Sequence, residues 1–166
     1  MMKNTKLMFS YGMNTNIAQM ARRCPGAICM GVATLLNHEF RFARHADVVP
    51  NTDSAVEGVL WLIDTDHLES LDLLEGYPYY YGRDILPVEY HGNIIMAECY
   101  RMQPDNPDDY PSQGYLDMLS EGYEEHGVPW DQIEAALDSV AQKQQNFVAK
   151  LPQKFGSFLK KYGIKR

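Results

Sequence analysis

No helix can run through Gly76-Tyr77-Pro78. Glycine leaves the right-handed region freely, and proline lacks the N–H that a continuing turn would need. The residues ahead of that stop, Leu68, Leu71 and Leu74, share one side of a helix that Thr65 can cap and Asp66 can open. A short helix therefore lies near the middle of the chain, between stretches with strand character. Ahead of it, residues 6–11, 27–36, 39–43 and 56–63 are rich in apolar and aromatic side chains, with Asn37-His38 as a break between the second and third. Gly58 marks a bulge or a close approach. Residues 15–23 have helical character and end before Cys24-Pro25-Gly26, whereas 47–54 read as a polar loop with one proline. Beyond the stop, residues 81–89 and 94–102 flank the hairpin signal Tyr90-His91-Gly92-Asn93, and Pro87 gives the first of these strands an edge or a bulge. An acidic, proline-rich connection over 104–111 leads to a helix over 113–125, capped by Ser112 and closed by Gly127, and then to a helix opened by Pro129-Trp130. Strands with helices inserted and appended predict an α+β domain rather than a doubly wound one.

With 166 residues, 45% of them hydrophobic, the chain suits one compact domain around one core. Its charge divides unevenly. Residues 139–166 hold seven Lys/Arg and no Asp/Glu, so residues 1–138 hold 8 basic and 22 acidic residues, a balance of −14 within a net −7. An acidic body disfavours nucleic acid as the main ligand. The basic stretch can bind an acidic partner or fold back on its own acidic surface, and the second is favoured because the opposite charges already share one chain. The division expected is a domain over 1–142 and a basic tail over 143–166 docked on it, with Phe147, Val148, Leu151, Phe155, Phe158 and Leu159 as the apolar positions of the tail. Cys24, Cys29 and Cys99 form an odd set without a CxxC pair, which fits a reducing cytosol, and the histidines show no metal-ligand spacing. The apolar run Leu7-Met8-Phe9 that follows Lys3 and Lys6 is too short for a signal peptide or a membrane span.

The sequence contains no GxxxxGK[ST], no GxGxxG after the first strand and no GxSxG. Its most informative acid is Glu75, at the exit of the central helix. Helix carbonyls point out of that end, and Asp72 lies three residues back on the same face. Both favour the protonated acid, which would make Glu75 a proton shuttle near neutral pH; the alternative is an ordinary surface acid beside a capped helix end. The loop Tyr11-Gly12-Met13-Asn14 leads from a strand into a helix. It either offers unpaired backbone N–H groups to a carboxylate or oxyanion, or serves only as a turn. Tyr77, Tyr79, Tyr80 and Tyr81 follow Glu75 closely. One can reach the carboxylate and another wall a pocket, or they alternate between core and solvent.

Three segments, in order, carry a family resemblance. Phe9-Ser10-Tyr11-Gly12-Met13-Asn14 resembles the first-strand signature of the gamma-glutamyl cyclotransferase-like family, an aromatic followed by Tyr-Gly-Ser-Asn. Val56-Glu57-Gly58-Val59-Leu60-Trp61, followed by Leu71-Asp72-Leu73-Leu74-Glu75-Gly76-Tyr77-Pro78, looks like that family's strand and its Leu-Asp-x-x-Glu-Gly helix exit. Pro111-Ser112-Gln113-Gly114-Tyr115, with Gly122 and Gly127-Val128-Pro129, is similar to a C-terminal helix pair of the branch that acts on gamma-glutamyl amino acids. The match spans residues 6 to 140, and the tail from Lys143 has no counterpart in it.

The resemblance implies a small closed mixed β-barrel with peripheral helices and a pocket at its mouth. It implies Glu75 as the catalytic acid/base and Tyr11, Gly12, Met13 and Asn14 as the ligand cradle. It also implies Tyr81 (with Tyr80 as the alternative) and Tyr115 beside the substrate. The implied reaction turns a gamma-glutamyl amino acid or amine into 5-oxoproline and the free amine, in the cytoplasm, with no metal and no cofactor. The implied partner is a small gamma-glutamyl compound, not nucleic acid and not a membrane, and a homodimer stays open. The usual loop serine is Met13 here, so a hydroxyl is lost while the backbone donors remain. The alternative reading is a non-catalytic module that holds a small ligand or a partner on the same barrel.

Overall fold

Alternation of inward apolar and outward polar residues builds five strands, and the central helix stop falls between the third and fourth. The computed structural model describes residues 4–150, 156–161 and 163–165. Its strands are β1 (Thr5–Ser10), β2 (Ile28–Ala43), β3 (His45–Asp64), β4 (Tyr81–Tyr90) and β5 (Asn93–Met102). Its helices are α1 (Ile17–Arg23), α2 (Asp66–Glu75), α3 (Gln113–His126), α4 (Asp131–Lys150) and α5 (Gly156–Lys161), with a single 3-10 turn at Met13–Thr15. The strands follow the order β1-β3-β2-β4-β5 and close into a barrel. Every pairing is antiparallel except the closing one, where β1 meets β5 in parallel at Met8 and Glu98. The fold is α+β, as expected from the order of elements.

The second and third strands depart from the sequence expectation. Residues 27–36 and 39–43 belong to one strand, and the polar run 47–54 is the first half of β3 rather than a loop. Asp47 stands opposite Arg41, Val49 opposite Glu39 and Pro50 opposite His38, so the two polar runs form a paired arm. The register shifts between Leu36 and His38, and Asn37 takes φ 57 there, which absorbs the break without ending the strand. The arm folds back on itself at Arg44, with Ala43 opposite His45. The close-approach reading of Gly58 holds: a Cβ there would lie 2.3 Å from the Ser10 carbonyl and 2.7 Å from Phe9 Cζ. β4 pairs with β2 only at Val88 and Glu89, so Pro87 occupies a stretch of strand with no β2 partner in the register.

The helices close the barrel from outside. The Ser112 hydroxyl accepts the Tyr115 N–H to cap α3, and Gly127 ends it in the left-handed region. Leu119 and Tyr123 of α3 and Ile133 and Val140 of α4 are fully buried, each side chain contributing about 1.5–3 kcal/mol by leaving water. Gln132 of α4 ties to the barrel at one residue: its Oε1 accepts the Glu57 N–H at 2.9 Å, and its Nε2 donates to the Glu57 carbonyl at 2.8 Å. The basic stretch from residue 143 begins inside α4 without a break, and Lys143 pairs with Asp108 on the acidic connection. Of the apolar tail positions, Phe147 is 66% exposed on α4. Leu151 and Phe155 lie outside the described residues, as do the side chains of Phe158 and Leu159. Among the described residues no helix is long and apolar enough to cross a membrane, and no group of three or more His, Cys, Asp or Glu is placed to hold a metal ion.

Candidate active site

The end of α2 delivers Glu75. Gly76 turns left-handed at φ 66, and the Tyr77 N–H closes back on the Asp72 carbonyl at 2.8 Å, a glycine-dependent helix stop. Thr65 stands at the start of this helix as expected, but its hydroxyl caps nothing, because its own backbone is already helical. The chain then runs past Tyr80, whose carbonyl accepts the Gln103 N–H at 2.9 Å, and into β4. This returns Glu75 to the open end of the barrel, where it lines a cavity of ≈ 230 Å³. Tyr11, Gly12, Met13, Asn14, Tyr81 and Tyr115 line the same cavity. Residues up to 104 positions apart in the chain are thereby brought to one place, together with Tyr80, His45, Arg23 and Tyr100.

The Glu75 carboxylate is held on one side. Asn14 Nδ2 donates to its Oε1 at 3.0 Å, and Arg23 Nη1 stands 3.8 Å from the same oxygen. Arg23 makes its short contact elsewhere, donating from Nη1 to Asn14 Oδ1 at 2.7 Å. No described residue hydrogen-bonds Oε2. Burial pushes the Glu75 carboxyl above its ordinary value, and the Asn14 hydrogen bond and the Arg23 charge draw it back only part of the way. The direction agrees with the sequence expectation, but the cause does not. Asp72 is occupied by the Tyr100 hydroxyl at 2.6 Å and by Arg83 at 3.2 Å, and loss of water is what raises Glu75 most.

The tyrosines are committed to backbone. Tyr11 donates its hydroxyl to the Tyr100 carbonyl at 2.6 Å, and Tyr81 donates to the Ala46 carbonyl at 2.6 Å. Both line the cavity with their hydroxyls already bonded to main chain. Tyr115 accepts the Ala46 N–H at 3.1 Å, and the Met13 amide also favours its ionised form. Burial nonetheless pushes the Tyr115 phenol up to about 12. Gly12 makes room for that phenol, since a Cβ there would lie 3.1 Å from the Tyr115 hydroxyl. Tyr80 and Tyr100 instead meet side chains, the Tyr80 hydroxyl at His45 Nδ1 at 2.8 Å and the Tyr100 hydroxyl at Asp72. Tyr77 and Tyr79 face outward, the latter 88% exposed. The Asn14 amide therefore stands out among the loop residues as a side-chain donor aimed at the acid.

Sequence reading missed Arg23, His45 and Tyr100. Arg23 sits beside Arg22 at the end of α1, a pair that reads as a solvated helix end, and only the helix rotation turns one of them inward. His45 falls between the strand expected over 39–43 and the loop expected over 47–54. Its ring meets those of Tyr80 and Tyr115 edge-on, with centroids 5.9 and 5.2 Å away, and burial and the neighbouring Arg44 lower its pKa. Tyr100 is one aromatic in an apolar strand and carried no signal.

The fold that carries this site has counterparts among known proteins. Solved structures of similar shape include the human uncharacterized protein loc79017, 25% identical, covering 80% of this chain and 86% of that one at a TM-score of 0.72. They also include a gamma-glutamyl cyclotransferase, 24% identical, over 80% and 86% of the two chains at 0.73. A third is a yeast gamma-glutamyl cyclotransferase specific to glutathione, which is 13% identical and shares the fold over 83% and 96% at 0.57. No curated protein matches the sequence. The family model for gamma-glutamyl cyclotransferase, AIG2-like, matches residues 8–123, from the first strand to the end of the cavity-lining helix. Over that span the chain belongs to the gamma-glutamyl cyclotransferase, AIG2-like family.

Proposed function

We propose that the protein converts a gamma-glutamyl amino acid or amine to 5-oxoproline and the free amine, with Glu75 moving the protons. The observation that carries this reading is a buried carboxylate whose pKa is raised while one of its oxygens remains unengaged. In such a substrate the α-amine attacks its own γ-carbonyl carbon. A new N–C bond closes the five-membered ring, and the amide bond to the leaving amine breaks. Nucleophile and electrophile both belong to the substrate, so the protein's task is to hold the bent conformer and transfer protons. Proximity of this kind is worth up to roughly 7–11 kcal/mol in favourable cases. Glu75 takes a proton from the attacking ammonium and returns it to the departing nitrogen, which requires a group that both gains and loses a proton near neutral pH. A carboxylate with its pKa raised by burial is suited to that exchange. The rings of Tyr11, Tyr81 and Tyr115 wall the ring-closing conformer, and the backbone of Gly12 and Met13 lies against its polar end. Met13 supplies no hydroxyl, so selection of the glutamyl group falls to Asn14 and the main chain.

Incubation of the protein with a panel including gamma-glutamyl-alanine and gamma-glutamyl-lysine should release 5-oxoproline, and the Glu75→Gln variant should release almost none. Absence of product across the panel, or full activity in Glu75→Gln, would defeat the reading.

A further inference from the structure

We propose that Arg23 is a positioning residue for this reaction: it locks the Asn14 side-chain amide in the orientation that presents an N–H to Glu75. The inference rests on the function proposed above and adds a residue to it.

An asparagine amide has two ends of similar shape and opposite hydrogen-bonding sense. Asn14 is 8% exposed, so water does not compensate a wrong choice. Its Oδ1 accepts from Arg23 Nη1 at 2.7 Å, and its Nδ2 donates to Glu75 Oε1 at 3.0 Å. A guanidinium can only donate, so the oxygen end must face Arg23. Turning the amide over would set NH₂ against guanidinium and a carbonyl against the carboxylate, two repulsive contacts in place of two attractive ones. Arg23 is thus the group that decides which end Glu75 meets. The fold supplies it for this purpose: α1 closes at Cys24, whose N–H bonds to the Met20 carbonyl, and Arg23 on its last turn is 24% exposed at the side chain and lines the cavity. Its charge stands 3.8 Å from Glu75 Oε1, too far for a direct hydrogen bond but near enough to favour the ionised acid.

Without Arg23 the amide is free to turn. Glu75 would then meet a carbonyl, and a protonated acid donating to Asn14 Oδ1 would become the favoured state. The base form would appear only at higher pH. The other titratable groups facing Glu75 are Tyr80 just before β4, Tyr81 at its start, Tyr100 of β5 and Tyr115 of α3, all pushed upward by burial and therefore neutral throughout the working range. His45 of β3 shares the cavity, and Asp72 on Glu75's own helix is taken up by Tyr100 and Arg83.

The test measures kcat and KM for 5-oxoproline release from gamma-glutamyl-alanine across pH for the wild type, Arg23→Met, Arg23→Lys and Arg23→Gln. Alongside it, the Glu75 carboxyl is titrated by carbon-13 NMR in the free protein, which separates Glu75 from His45. In Arg23→Met the rising limb of kcat and the NMR midpoint should both move up by about one pH unit or more, with KM little changed. Lys keeps the charge and Gln keeps a donor for Asn14, so each should restore part of the shift; they also carry the test should Arg23→Met fail to fold. An unmoved limb and midpoint in folded variants would overturn the proposal. So would a rise in KM with the limb in place, which would make Arg23 a ligand of the substrate's carboxylate. A wild type that releases no 5-oxoproline sinks the function instead, and the NMR midpoint then decides the positioning role alone.

Discussion

Two carboxylates, Asp47 fully buried and Glu75 with 17% of its side chain exposed, are held in opposite ways. Asp47 is 1% exposed and fully engaged: Oδ2 receives Arg41 Nε at 2.7 Å, and Oδ1 receives the Met102 N–H at 2.8 Å. Arg41 reaches on to Asp108, and Asp108 to Lys143, so the charge is passed outward through a chain of partners. Glu75 has both of its contacts on one oxygen, and its guanidinium neighbour spends its short bond on an amide instead. Asp47 thus fastens the returning arm of β3 to β5. Glu75 is left with the cost of burial only partly offset, and a carboxylate in that condition exchanges protons readily. Burial alone does not separate the two; an oxygen left unengaged on a residue that lines a cavity does.

The largest expected effect breaks the Glu75 side. Glu75→Gln should lower kcat by about 10²–10⁴-fold, read from 5-oxoproline release. The same variant should be no less stable, and its advantage should depend on pH. The folded pKa of Glu75 lies above the unfolded one, so the stability linked to that group is full below the ordinary carboxylate range and is lost as pH rises through the folded value. Urea unfolding should therefore show Glu75→Gln matching the wild type in acid and exceeding it at neutral pH. A variant that gains nothing on going to neutral pH would remove the argument that Glu75 is strained by burial.

On the other side, Asp47→Asn should leave Arg41 with Asp108 as its remaining carboxylate partner, weaken the acceptor for the buried Met102 N–H, and cost about 1–3 kcal/mol in urea unfolding. A loss below ~1 kcal/mol would place Asp47 with surface pairs and dissolve the contrast. Asp108→Asn should cost less and show the reverse pH dependence. Burial works to raise the Asp108 carboxyl, but the hydrogen bonds and charges of Lys143 and Arg41 outweigh it and hold it below its ordinary value. The stability it contributes is present above the unfolded value and lost as pH falls through the lowered folded value. The wild type should hold its lead over Asp108→Asn at neutral pH and lose it in acid. The smallest effect belongs to Lys143→Met. Its ammonium is 60% exposed, so the change should stay within ~1 kcal/mol and shrink further in salt.

What the sequence disclosed follows the range of the forces involved. The β4–β5 hairpin, the stop at Gly76 and the caps at Ser112 and Gly127 are set by neighbours within a few residues, and their signals were local. The first half of β3 was not legible, because Asp47, Asn51, Thr52, Asp53 and Ser54 carry loop chemistry and Pro50 lacks a donor. Asp47 and Pro50 are strand because β2 runs alongside far enough to pair with them at Arg41 and His38, and Asn51 to Ser54 fall in the register shift opposite Asn37. At the site, the Tyr11–Asn14 loop and Glu75 were singled out, and the fold brings them round one cavity with Tyr81 and Tyr115. The rest depended on orientation. Nothing in Arg22-Arg23 tells which arginine faces in, and nothing in His45 tells that an arm of paired strand will end beside Tyr80. The largest cause of the Glu75 shift was hidden for the same reason, since loss of water is a property of the assembled cavity.

The barrel is complete at Met102, yet one wall of the cavity comes from later in the chain. Tyr115 closes it from α3, and Gly122 of that helix lies so near the loop that a Cβ would come 2.5 Å from Thr15 Oγ1. During synthesis, all five strands can therefore emerge and pair while the pocket is still open on one side. A chain truncated after residue 110 should accordingly keep its strand signature by circular dichroism and fail to retain any gamma-glutamyl ligand.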